Sequence, residues 1–93
     1  MSKLNLELVK ANGCKMLFRD KDAWISVCDN TYEPNFGIYF GDVENYPEID
    51  IDDIFDMPNL YASDYVSFKS QESQKQYVLK EYGINIENYY TRY

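Results

Sequence analysis

Seven carboxylates fall within residues 42–56: Asp42, Glu44, Glu48, Asp50, Asp52, Asp53 and Asp56. Between them stand Val43, Tyr46, Ile49, Ile51, Ile54 and Phe55. Acids spaced in this way can do two kinds of chemistry. Converging on a turn, their oxygens can ligate a hard cation such as Ca²⁺ or Mg²⁺. Spread along a rigid surface, they can imitate phosphates and meet the Lys and Arg side chains of a basic protein. The cation pattern is incomplete. If Asp50 opened an EF-hand loop, the position of the turn glycine would fall on Phe55 and the acidic twelfth position on Tyr61. Capping of a helix accounts for Asp50 and Asp53 without any ligand.

The cluster belongs to a longer acidic stretch. Residues 22–68 also carry Asp22, Asp29, Glu33 and Asp64, and contain no Lys or Arg. Every positive charge lies before or after it. Other chemistry is poorly represented. The chain has no His, which removes Ser-His-Asp, Cys-His and His-metal arrangements. Cys14 and Cys28 stand alone, without the spacing of a zinc site or a CxxC redox pair, and read as buried free thiols. The four glycines never cluster into a phosphate-cradling loop. Any two of the sixteen acids could serve acid–base work, but nothing selects a pair. The expectation is a protein that is not an enzyme and needs no cofactor.

Ninety-three residues fit a single domain, 1–93. An apolar content of 45%, with ten Tyr, five Phe and one Trp, points to a packed globule rather than an acidic tail. No run of about 18 apolar residues offers a membrane span, and the first ten residues lack a signal-peptide core, so the cytoplasm is the default location. A net charge of −7 opposes direct contact with nucleic acid or an anionic membrane. It favours a basic protein partner.

Along the chain, residues 3–10 alternate Leu4, Leu6 and Leu8 with polar neighbours, as a half-buried strand does. Asn12-Gly13 suits a tight hairpin turn, and residues 14–18 return as a second strand. Residues 19–22 make a polar turn into a third strand, 23–28, and loop chemistry over 29–35 leads to a fourth, 36–40. Gly37 in that strand marks a bulge or a close approach. Centring the second hairpin on Lys21 sets Cys14 opposite Cys28, Met16 opposite Ser26 and Phe18 opposite Trp24. Centring the first hairpin between Asn12 and Gly13 sets Leu8 opposite Leu17, so that Leu8, Leu17, Ile25 and Val27 share one face, and Met16, Phe18, Trp24 and both cysteines the other. Asp50 caps a short helix, stapled by Ile49 and Ile54 and stopped by Pro58, whose Ile51, Ile54 and Phe55 pack inward. Residues 59–63 read as irregular and 65–68 as a fifth strand. Ser70 caps the one long helix, Gln71–Tyr82, with a polar first half and an apolar face of Val78, Leu79 and Tyr82; Gly83 ends it, and Asn85 starts a last helical turn. The fold class is α+β: an antiparallel sheet of about four to five strands, led by an N-terminal meander, with a short acidic helix and one longer C-terminal helix packed on it.

In size, acidity and tyrosine content the chain resembles small inhibitors encoded by phages and competing bacteria. These include DNA-mimic anti-restriction and anti-CRISPR proteins, and immunity proteins that neutralise nuclease toxins. The likeness is compositional and aligns no residues. The acidic surface itself reads as that of a protein-binding inhibitor that blocks a basic nucleic-acid-handling protein through Asp42, Glu44, Tyr46, Glu48, Asp50, Asp52, Asp53 and Asp56. The alternatives are an immunity protein and a small divalent-metal enzyme using residues 50–56.

Overall fold

A computed structural model describes residues 5–13, 15–30, 35–44 and 48–89. Five strands form one antiparallel sheet in chain order: β1 (Glu7–Asn12), β2 (Lys15–Arg19), β3 (Ala23–Asn30), β4 (Asn35–Asp42) and β5 (Asp64–Phe68). Between β4 and β5 come two short helices, α1 (Ile51–Asp56) and α2 (Pro58–Tyr61); after β5 comes α3 (Gln71–Tyr82), and a 3-10 turn spans Ile86–Tyr89. The α+β class and the meander therefore stand as read from the sequence. No helix among the described residues is long and apolar enough to cross a membrane.

Alternation along the strands creates two buried faces, and each is covered by helix. Met16, Phe18, Ile25, Val27 and Ile38 pack with Val78 of α3 and Ile86 of the 3-10 turn. On the other face Leu17 and Trp24 pack with Ile54 and Phe55 of α1. The architecture is thus three layers, helix–sheet–helix, which is why strands of a chain this small are apolar on both sides.

The assignment of side chains to faces differs from the sequence reading by one residue. Met16 lies opposite Val27, Leu17 opposite Ser26, Phe18 opposite Ile25 and Arg19 opposite Trp24. The hairpin centre falls between Lys21 and Asp22, not on Lys21. A slip of one residue exchanges the faces, so Leu17 joins Trp24, while Met16 and Phe18 join Ile25 and Val27. The cause is the Asp20 carboxylate. Its oxygens accept from the backbone N–H groups of Asp22 and Ala23, both at 2.8 Å, and of Asn5 at 3.1 Å. Burial alone would raise the Asp20 pKa, but these donors outweigh it and hold the carboxyl below its usual range. The first hairpin shifts too. Asn12 pairs with Lys15, and a bulge between Leu8 and Lys10 sets Leu8 opposite Phe18, not Leu17. Leu8 is exposed, outside the core expected for it. Cys14 lies outside the described residues, and with it the expected Cys14–Cys28 pair; Cys28 itself is half-buried, and burial pushes its thiol up.

Helix ends obey local rules closely. The Asp50 carboxylate accepts from Asp52 N–H at 3.2 Å, and Ser70 Oγ accepts from Ser73 N–H at 3.1 Å. Pro58 ends α1 but also opens α2 at its first position, so residues 58–61, expected to be irregular from 59 onward, make a helical turn. Gly83 adopts a left-handed φ of 71° and donates its N–H to Leu79 O at 2.9 Å. A methyl group at Gly83 would meet no atom within 4 Å, so backbone strain alone opposes it. Ser70→Ala and Gly83→Ala are each expected to lower stability by about 1 kcal/mol. Thermal unfolding of the two variants measures this, and an unchanged midpoint in both would place the helix ends elsewhere.

One feature of α3 escaped the pattern. Gln74, in the half read as polar, is 2% exposed, whereas Leu79, read as part of the apolar face, is 54% exposed. Gln74 Nε2 donates to Cys28 O at 2.9 Å and to Gly37 O at 3.0 Å, tying the helix to β3 and β4. Gly37 marks a close approach rather than a bulge: the pairing of β3 with β4 is continuous there, and the Tyr65 ring occupies the space a Cβ would need.

Candidate functional site

The acidic residues ride on an anchored turn. Asp50 sets the first turn of α1 by capping it, and Ile54 and Phe55, four to five residues on, bury against Trp24 and Leu17. Ile49 and Ile51 add to the same cluster. With that stripe facing the sheet, the intervening acids must face water. Glu48, Asp50, Asp52, Asp53 and Asp56 are all exposed, as is Glu44 on the approach from β4. Asp42 is half-buried at the end of β4, opposite Ala23. Tyr46, expected to flank the acids, lies outside the described residues.

Two lysines reach this turn from a part of the chain about forty residues earlier. Lys10 Nζ stands 2.7 Å from Asp52 Oδ1, and Lys15 Nζ donates to the backbone carbonyl of Asp56 at 3.4 Å. Both ammonium groups also lie over the Phe55 ring, at 4.8 and 5.0 Å from its centroid, within cation–π range. The hydrogen bond to Asp52, with the charges of Asp52, Asp56 and Asp50 behind it, holds Lys10 above its ordinary pKa. The β1–β2 hairpin thus supplies in cis some of the positive charge that residues 22–68 lack.

This divides the acidic set. Asp52 pairs with Lys10, whose ammonium also feels the charges of Asp56 and Asp50. Glu44, Glu48 and Asp53 have no ion pair with a cation among the described residues. No three described His, Cys, Asp or Glu side chains are grouped so as to hold a metal ion. Chemically, the surface offers negative potential on a turn anchored to the sheet, with Met57 and Leu60 exposed beside it as apolar contacts.

Sequence reading found the acids, their cap and their inward-facing neighbours. It missed Lys10 and Lys15, because pairing across the sheet and the loop that returns over it, not spacing along the chain, brings them there. No family model matches the chain, and neither a curated protein nor a solved structure does.

Proposed function

We infer that the protein is a small cytoplasmic inhibitor that binds a basic, nucleic-acid-handling protein, such as a nuclease or a defence complex, through its acidic turn. The observation that carries this reading is the outward set of Glu44, just past β4, with Glu48 and Asp53 at a helical turn whose apolar stripe is buried against the sheet. Surface carboxylates anchored to the sheet steer a cationic partner and occupy the groove that nucleic-acid phosphates would fill. Lys10 and Lys15 limit the self-repulsion of the turn while leaving one side uncompensated. Toxin neutralisation by an immunity protein would use the same surface chemistry on a different basic target.

The experiment is capture by immobilised protein followed by elution with a short DNA duplex. A nucleic-acid-binding protein should be retained at low salt and displaced by the duplex, since both compete for one groove. Lys10→Gln should strengthen capture, because it removes a cation beside the acids at the cost of an exposed ion pair and a contact over the Phe55 ring. Retention that duplex DNA leaves untouched, with no effect of Lys10→Gln, would reject the reading.

A further inference from the structure

The opposite sheet face carries a second feature, independent of the acidic turn. Between α3 and the β4–β5 edge lies a groove of about 220 Å³ lined by Ile38, Phe40, Asp64, Tyr77 and Tyr82, among others. Sites for drug-sized ligands begin near ~300 Å³, so this one fits a single side chain better than a cofactor. The Tyr77 and Tyr82 rings stand 6.3 Å apart with their planes inclined by 68°. Phe68 packs against Tyr77 at 5.2 Å and steadies it.

Charge at the groove has one sign. Asp64 lines it, and no Lys or Arg does among the described residues. Burial, then Tyr77, Glu81 and Asp64, push the Tyr82 hydroxyl up to about 12; burial, Glu81 and Asp64 raise that of Tyr77. Both rings therefore stay neutral at physiological pH, and both feel two carboxylates. An anion would be repelled here. A purely apolar guest would desolvate the Asp64 carboxylate while bringing no donor to it. A cation gains from the ring faces and from the carboxylate together. A second copy of this chain, at net charge −7, is disfavoured as its source.

We propose that this groove receives an arginine side chain of a partner protein, with its methylenes on Ile38 and Phe40 and its guanidinium against Tyr77, Tyr82 and Asp64. Arginine fits better than lysine because a planar guanidinium both stacks on a ring and forks onto a carboxylate.

The test follows the tyrosine ring resonances by NMR during titration with the blocked peptide Gly-Gly-Arg-Gly-Gly. Its citrulline counterpart, equal in shape but uncharged, is the comparison. The Tyr77 and Tyr82 rings should shift saturably with the arginine peptide at millimolar concentration, and about tenfold more peptide should be needed for citrulline. Asp64→Asn, which keeps an oxygen to accept the Tyr65 N–H bond, should weaken the arginine peptide about three- to fivefold. Equal affinity for arginine and citrulline, or no shift of either ring in the folded protein, would overturn the proposal. The acidic turn is untouched by any of these outcomes.

Discussion

Replacing Gly41 with Ala is expected to destabilise the protein by about 3 kcal/mol, near the upper end for overpacking a core. For a chain of this size that lowers the melting temperature by about 12–24 °C. Gly41 pairs with Trp24 across the β3–β4 ladder, and the indole lies over it. A Cβ at Gly41 would sit 2.3 Å from Trp24 Cε2 and Cζ2. The indole has nowhere to go: Trp24 is 1% exposed and is covered by Ile54 and Phe55. Relief would have to lift α1 from the sheet. Gly37→Ala makes an instructive contrast. Its Cβ would fall 2.5 Å from Tyr65 Cε1, but Tyr65 is 42% exposed, so its ring can swing outward at a cost of about 1 kcal/mol. Thermal unfolding of both variants separates the cases, and equal losses would mean that α1 does not clamp Trp24.

Gln74 should be the most sensitive polar position. Gln74→Met keeps the volume but removes both donors to Cys28 O and Gly37 O, and a loss of about 1–3 kcal/mol is expected. Gln74→Glu should cost more at neutral pH, because it sets a buried carboxylate against two carbonyl oxygens. The sign of its pH dependence follows. The folded state favours the protonated acid, so the folded pKa of the introduced carboxyl lies above its unfolded value. The penalty is therefore absent below the unfolded pKa of about 4.3 and grows as pH rises above it. Urea unfolding at acid and neutral pH, with the wild-type protein as reference, measures this. A Gln74→Glu variant whose loss is the same at both would show that the side chain leaves the interior.

The places where sequence and structure agree share a physical origin. Ser70, Gly83, Asp50 and Pro58 act through their own backbone neighbours, so the ends of α1 and α3 can be read locally. Ile54 and Phe55 follow because one face of a capped turn must bury. Register is different. The sequence 19–22 permits hairpin centres one residue apart, and the choice rests on three bonds to the Asp20 carboxylate. One of these comes from Asn5, fifteen residues away. The bulge near Val9 is equally invisible in a pattern of alternating residues. Gln74 was hidden because its partners are carbonyls thirty-seven and forty-six residues away. The same remoteness conceals Lys10 and Lys15 at the acidic turn.

Those lysines also change how the acidic surface should be tested. Asp52→Asn removes the partner of Lys10, and with it an exposed ion pair that contributes about 0–1 kcal/mol. It therefore mixes a structural loss with an electrostatic one. Glu44→Gln, Glu48→Gln and Asp53→Asn leave that ion pair intact, and of the three only Asp53→Asn touches the helix, giving up a first-turn charge worth about 0.3–1 kcal/mol. The most direct test is the affinity of that triple variant for a basic partner identified by capture, measured at low and at physiological salt. The account predicts an intact fold, affinity reduced about tenfold or more at low salt, and a shallower salt dependence than wild type. Wild-type affinity in the triple variant at low salt would contradict it, leaving the acids a solvated face and nothing more.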